Sequence, residues 1–192
     1  MARPREFSNE TIFYAVYLAL CQKGISKLTI NDISNEANIS PAGLLKRFGS
    51  KKGILLAYSD FVVQLTKKSF DEALKKEESS INALKKIYKN AMKLADDPVS
   101  LANHASFYLE STSDPDLLQI SKKRLDILDK GTQTLLKQAI AQGEIKKCDV
   151  NVISTVLQSS VGGAMLLWIR NPERTIEALI DDCFSVILRP YH

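Results

Sequence analysis

Apolar residues along this chain recur at intervals of three and four, and nowhere settle into the strict alternation of a strand. That rhythm predicts an all-α protein, with helices at 9–23, 29–37, 41–48, 51–77, 80–96, 98–112, 116–142, 150–170 and 173–188. The punctuation agrees with it. Pro98, Pro115 and Pro172 stand just inside or just before helix starts, each after an Asp or Asn. Gly24, Gly49 and Gly143 follow periodic stretches, where a left-handed residue closes a helix. Leu117, Ser121, Leu125, Leu128, Thr132, Leu135 and Ala139 predict one inward stripe on the seventh helix.

Two short helices near the start form a helix-turn-helix pattern. Thr29 precedes the first, and Asp32 three residues later completes capping-box spacing. Ile33 and Ala37 line its inner face. Asn38 can take the left-handed conformation that ends it, and Ile39 can plug the corner. Ser40 caps the second helix and Pro41 takes its first position. Leu44 and Phe48 pin that helix inward, leaving Pro41, Ala42, Lys46 and Arg47 outward. Gly43 costs up to ~1 kcal/mol relative to alanine in a helix, and a bare backbone there suits close approach by something large. Ser50 caps the next helix, whose first turn with Lys51 and Lys52 faces where a phosphate would lie. The whole pattern suits a short helix entering the major groove of DNA, where Lys or Arg can read guanine.

Charge sharpens the picture. The chain has 192 residues and a net charge of +4. Residues 1–53 hold eight Lys/Arg and four acids, while 54–192 hold 18 of each. The excess positive charge thus lies entirely in the first quarter and favours a polyanion partner. We expect a DNA-binding domain at 1–53 and a helical domain at 54–192. With 45% hydrophobic residues the chain can build a buried core.

These residues resemble the tetracycline-repressor (TetR) family of bacterial regulators. Ile12, Phe13, Ala15, Val16, Ala19, Leu20 and Gly24 fall in register with the first part of the family's N-terminal pattern. Thr29, Ile33, Ala37, Ile39, Ser40, Gly43, Leu44, Phe48, Ser50 and Lys51 match the second. The resemblance covers about residues 9–55. It implies a ligand-responsive transcriptional repressor that binds double-stranded DNA, with 41–48 as recognition helix and Thr29 and Lys51 on phosphate. Leu45 stands where the family usually has a tyrosine, Asn38 where it has glycine, Ser34 where it has alanine and Lys52 where it has an acid.

The rest of the chain requires partners of its own. From Val161 to Ile169 the eighth helix is apolar almost all round, and so needs cover on every side. Val152, Val156, Ser159, Gly163, Leu166 and Leu167, with Ile176, Leu179, Ile180, Cys183 and Ile187 of the last helix, form an expected homodimer interface of four helices. Such a dimer would present two recognition helices to half-sites ~34–36 Å apart. The resemblance further implies a pocket for a small organic effector, with Met92, His104, Phe107, Tyr108, Ser111, Gln158 and Trp168 as candidates.

Other chemistries find little footing. Gly-rich phosphate loops, His-Glu metal signatures and nucleophile motifs are absent from the sequence, so no enzyme, metal or cofactor is expected. An enzyme, or a helical partner of an acidic protein or lipid, would be the alternative. Cys21, Cys148 and Cys183 lack ligand spacing and read as small hydrophobes in a reducing compartment. The apolar run before Cys21 resembles a secretory signal, but Glu6, Glu10 and Leu20 argue for an ordinary helix. Val161–Ile169 is far shorter than the ~20 residues that span a bilayer. The expected setting is the cytoplasm, without a membrane.

Overall fold

The computed structural model describes residues 8–75, 78–92 and 97–191. Among these lie nine α-helices: α1 (Asn9–Lys27), α2 (Ile30–Ala37), α3 (Pro41–Phe48), α4 (Lys51–Ala73), α5 (Ser80–Met92), α6 (Pro98–Glu110), α7 (Pro115–Ala141), α8 (Val150–Arg170) and α9 (Ile176–Leu188). Short 3₁₀ turns follow α6 and α9. The all-α expectation is met. The expected ends of the fourth helix at 77 and the fifth at 96 lie outside the described residues. The ninth helix begins later than expected, because Thr175 accepts a hydrogen bond from the Ala178 N–H and caps it there.

Packing divides the chain into two compact units. One joins the segment up to Val62 with Val99–Ser121; the other joins Val63–Pro98 with the segment from Lys122 on. α4 and α7 each contribute to both units. The units therefore do not follow a single cut in the chain, and α6 shares a unit with the helix-turn-helix.

In the first unit, Ser8 caps α1 by accepting from the Thr11 N–H at 3.2 Å. Ile12, Val16, Ala19 and Leu20 of α1 meet Ile33, Leu44, Ile54, Tyr58, Phe107 and Leu117 in one core. Helical structure continues past Gly24 to Lys27, across a kink at which Gly24 has φ 66° and ψ 164°. The break frees backbone groups that side chains of α6 satisfy. Asn103 donates to the Cys21 carbonyl at 2.9 Å, and the Ser106 hydroxyl receives the Ile25 N–H at 3.5 Å. His104 is buried, 3.0 Å from the Tyr58 hydroxyl, with the rings of Tyr17 and Tyr108 edge-on to it.

In the second unit, Tyr88 bonds to Thr132 at 3.0 Å in a dry site, and burial pushes its hydroxyl up to about 12. Glu144 caps α5, its carboxylate accepting from the Ser80 and Ile81 N–H groups at 2.6 and 3.2 Å. The stripe on α7 buries Thr132, Leu135 and Ala139, whereas Leu125 stands exposed. α8 needs a correction. The whole helix, not the nine residues Val161–Ile169, sets its reach, and by length and composition it could cross a membrane. Its polar side chains tie it to a neighbouring helix. The Ser154 hydroxyl and the Gln158 amide donate to Asp129 of α7 at 2.6 and 3.1 Å.

Candidate nucleic-acid interface

The local sequence builds the helix-turn-helix by capping at every corner. The Thr29 N–H and hydroxyl both donate to the Asp32 carboxylate, at 2.8 and 2.6 Å, and the Asp32 N–H returns to the Thr29 oxygen at 3.2 Å. These bonds hold the Asp32 carboxyl below the usual carboxylate range, with Lys23 and Lys51 adding attraction. Asn38 is left-handed at φ 53°, as its position required. Ser34 is a residue whose role the sequence did not disclose. Its buried hydroxyl donates to the Ile39 carbonyl, while the Ile39 N–H returns to the Ser34 carbonyl at 3.2 Å. Where an alanine would only fill space, this serine ties the turn shut.

α3 starts with Ser40 accepting from the Gly43 N–H at 3.1 Å, with Pro41 at its first position. Leu44 is fully buried, and Phe48 packs on Phe13 with ring centroids 6.1 Å apart. Pro41, Ala42, Leu45, Lys46 and Arg47 face solvent. The Arg47 guanidinium lies 5.8 Å from the centroid of the Phe48 ring. A Cβ at Gly43 would sit 3.1 Å from the Ile39 Cγ2 and 3.2 Å from the Ser40 hydroxyl, so both side chains would have to give by a few tenths of an ångström to admit it. Gly49 ends α3 at φ 78°, and Ser50 caps α4 by accepting from the Gly53 N–H at 3.0 Å.

The two lysines that open α4 differ from each other. Lys51 is half-buried, and its ammonium donates to the Ile25 carbonyl at 3.2 Å. Burial pulls its pKa down, partly offset by Asp32. An ammonium has three donors, so the others stay available to a phosphate. Lys52 is pulled away from the expected clamp. It bridges Asp114 and Asp116 at 2.8 and 2.7 Å, which ties the start of α4 to the turn that opens α7. The same pairing raises the Lys52 pKa and lowers that of Asp114. An acid pair some sixty residues away carries no local signal, so the sequence could not announce it.

The remaining expected sites fall as follows. His104, Phe107, Tyr108 and Ser111 belong to the first unit; all but the half-buried Tyr108 are buried. Met92, Gln158 and Trp168 belong to the second, where Trp168 is buried and Met92 half-buried. Two surface grooves are described, and none of these seven residues lines either. One, about 330 Å³, runs between α5 and α9 past Lys85, Lys86, Lys89 and Asp181; the other, about 230 Å³, lies over Ile81 and Leu188. On α8 and α9, Val152, Val156, Ser159, Leu166 and Leu167 are exposed, and Gly163, Leu179, Cys183 and Ile187 are half-buried. Ile176 and Ile180 depart from that face. They are buried within their own unit and offer nothing to a partner.

Comparison with known proteins bears on this arrangement. Residues 19–58 match the family described as bacterial regulatory proteins, tetR family. No curated protein matches the chain significantly. Solved structures do. A TetR transcription regulator from Haloarcula marismortui superposes with TM-score 0.78 at 17% identity, over 95% of this chain and 97% of that one. The transcriptional regulator FadR from Bacillus subtilis, in complex with stearoyl-CoA, gives 0.74 at 19% identity, over 96% and 100%. SmeT, the repressor of the Stenotrophomonas maltophilia multidrug efflux pump SmeDEF, gives 0.72 at 15%, over 96% and 90%. Residues 19–58 thus match the tetR family of bacterial regulatory proteins, and the fold around them is similar to that of a solved TetR transcription regulator.

Proposed function

We propose that this protein is a transcriptional regulator, a repressor that binds a palindromic operator as a homodimer and leaves it when a small organic effector binds. One observation carries the reading. α3 is capped at both ends, anchored by the buried Leu44, and turns Lys46 and Arg47 outward. A helix too short to persist alone gains that rigidity only from its neighbours. The reward is a cationic surface shaped for a groove.

The homodimer is supported by the apolar surface of α8, where Val152 is 55% and Leu167 68% exposed. Exposed apolar area of that kind along a helix favours a partner. Two-fold pairing through α8 and α9 would match two half-sites of one operator. An organic effector is in keeping with FadR having been solved with stearoyl-CoA. Its influence is limited by its differential affinity for the DNA-binding and released states. The protein would act in the cytoplasm, on double-stranded DNA, without catalysis.

The test is recovery of genomic fragments on the purified protein, followed by sequencing. Enrichment of a two-fold symmetric sequence supports the proposal, and displacement of those fragments by an organic extract supports the effector. Recovery of random DNA, or of none, refutes it.

A further inference from the structure

α3 presents two chemically different surfaces, and one of them has no charge. Successive residues turn by about 100°. Pro41 and Leu45 therefore form one flank, Ala42 and Lys46 the outward ridge, and Arg47 the opposite flank. Leu45 is 40% exposed, an apolar side chain that its own core does not need. The N-terminal residues of a recognition helix are the ones that meet base edges. Here those are Pro41 and Ala42, with Leu45 one turn on, and none has a side-chain hydrogen-bonding atom. The cations lie in the second half of the helix, and Arg47 is turned toward the Phe48 ring.

In the major groove the one apolar group on a base edge is the C5-methyl of thymine. We propose that Leu45, together with Ala42, reads thymine methyls, so that each half-site holds one or two thymines at fixed positions under the first turn of α3. The inference rests on the regulator proposal above and deepens it, naming the base that the helix selects. Lys46 on the adjoining ridge supplies the attraction to DNA that brings this apolar flank into the groove.

Replacing thymidine with deoxyuridine, one operator position at a time, removes the methyl and leaves the protein untouched. The expected result is about a fourfold loss of affinity for each contacted methyl, from the burial of roughly one methylene equivalent. The loss should be confined to one or two positions per half-site. Leu45→Ala should abolish that dependence at the position beneath Leu45 and leave any position beneath Ala42, whereas Lys46→Ala and Arg47→Ala should retain both. Equal binding of every deoxyuridine duplex by the unaltered protein overturns the inference, as do deoxyuridine penalties that Leu45→Ala leaves unchanged at every position. Both outcomes leave sequence-specific binding intact. A protein with no preference for any sequence over random duplex overturns the regulator proposal as well.

Discussion

Lys51 shows how one side chain can serve fold and partner together. Its ammonium holds the Ile25 carbonyl near the end of α1 while two donors stay available. A phosphate contact there would carry no sequence information. Lys51→Ala is thus expected to weaken binding to operator and random duplex alike, and to lower the slope of log affinity against log salt by about one. Affinity titrations at several salt concentrations measure it. Thr29 and Asp32 make a second case. Thr29→Ala should cost about 1 kcal/mol of stability through the lost cap. The Asp32 carboxyl is depressed in the folded protein, so its stabilisation is present above its unfolded pKa, near 3.9. It fades as pH falls through the lower folded value. Melting temperatures of the unaltered protein and Asp32→Ala should therefore differ at neutral pH and converge in acid. A gap that stays constant from pH 7 to pH 2.5 would contradict this.

At the scale of elements, the link between α4 and the turn before α7 is the main surprise. Lys52 holds Asp114 and Asp116 within unit one, and these carboxylates compete with a phosphate for its ammonium. Asp114→Asn with Asp116→Asn should release it. Non-specific DNA affinity is then expected to rise, with a salt dependence about one unit steeper; an unchanged slope would show that Lys52 has no reach to DNA. What was legible at this scale follows from range. The capping box at Thr29, the left-handed Asn38 and the caps at Ser40 and Ser50 are interactions over three or four residues, and spacing alone encodes them. The kink at Gly24 was legible as a helix end but not as a continuation, because Asn103 and Ser106, some eighty residues on, satisfy the opened backbone. Gly43 was legible as a special position, while the nearness of the Ile39 side chain to it needed three dimensions.

For the whole molecule, the decisive question is what covers α8. An apolar helix reads the same in sequence whether its own chain or a second copy covers it. That ambiguity hides the difference between the exposed residues of this face and Ile176 and Ile180, which serve their own core. Likewise, residue type along the chain does not reveal which residues share a cavity, and three of the seven expected around an effector fall in a different unit from the other four. Leu166 and Leu167 are exposed on α8. If the protein is a dimer through that face, Leu167→Glu should shift it to monomer in sedimentation without loss of helical signal. Operator affinity should fall with it, because each half-site would then be bound singly. A dimer that persists with the glutamate in place would move the interface elsewhere.

The central claim is that the outward face of α3 selects DNA sequence, and a ratio tests it most directly. Affinity for a recovered operator is divided by affinity for random duplex at one salt concentration, for the full chain and for Lys46→Ala, Leu45→Ala and Arg47→Ala. The unaltered protein should show a ratio of at least ~10³. At least one substitution should reduce that ratio by the roughly 1–3 kcal/mol of a base contact, with folding unchanged. A ratio that stays the same in all three variants would contradict the account.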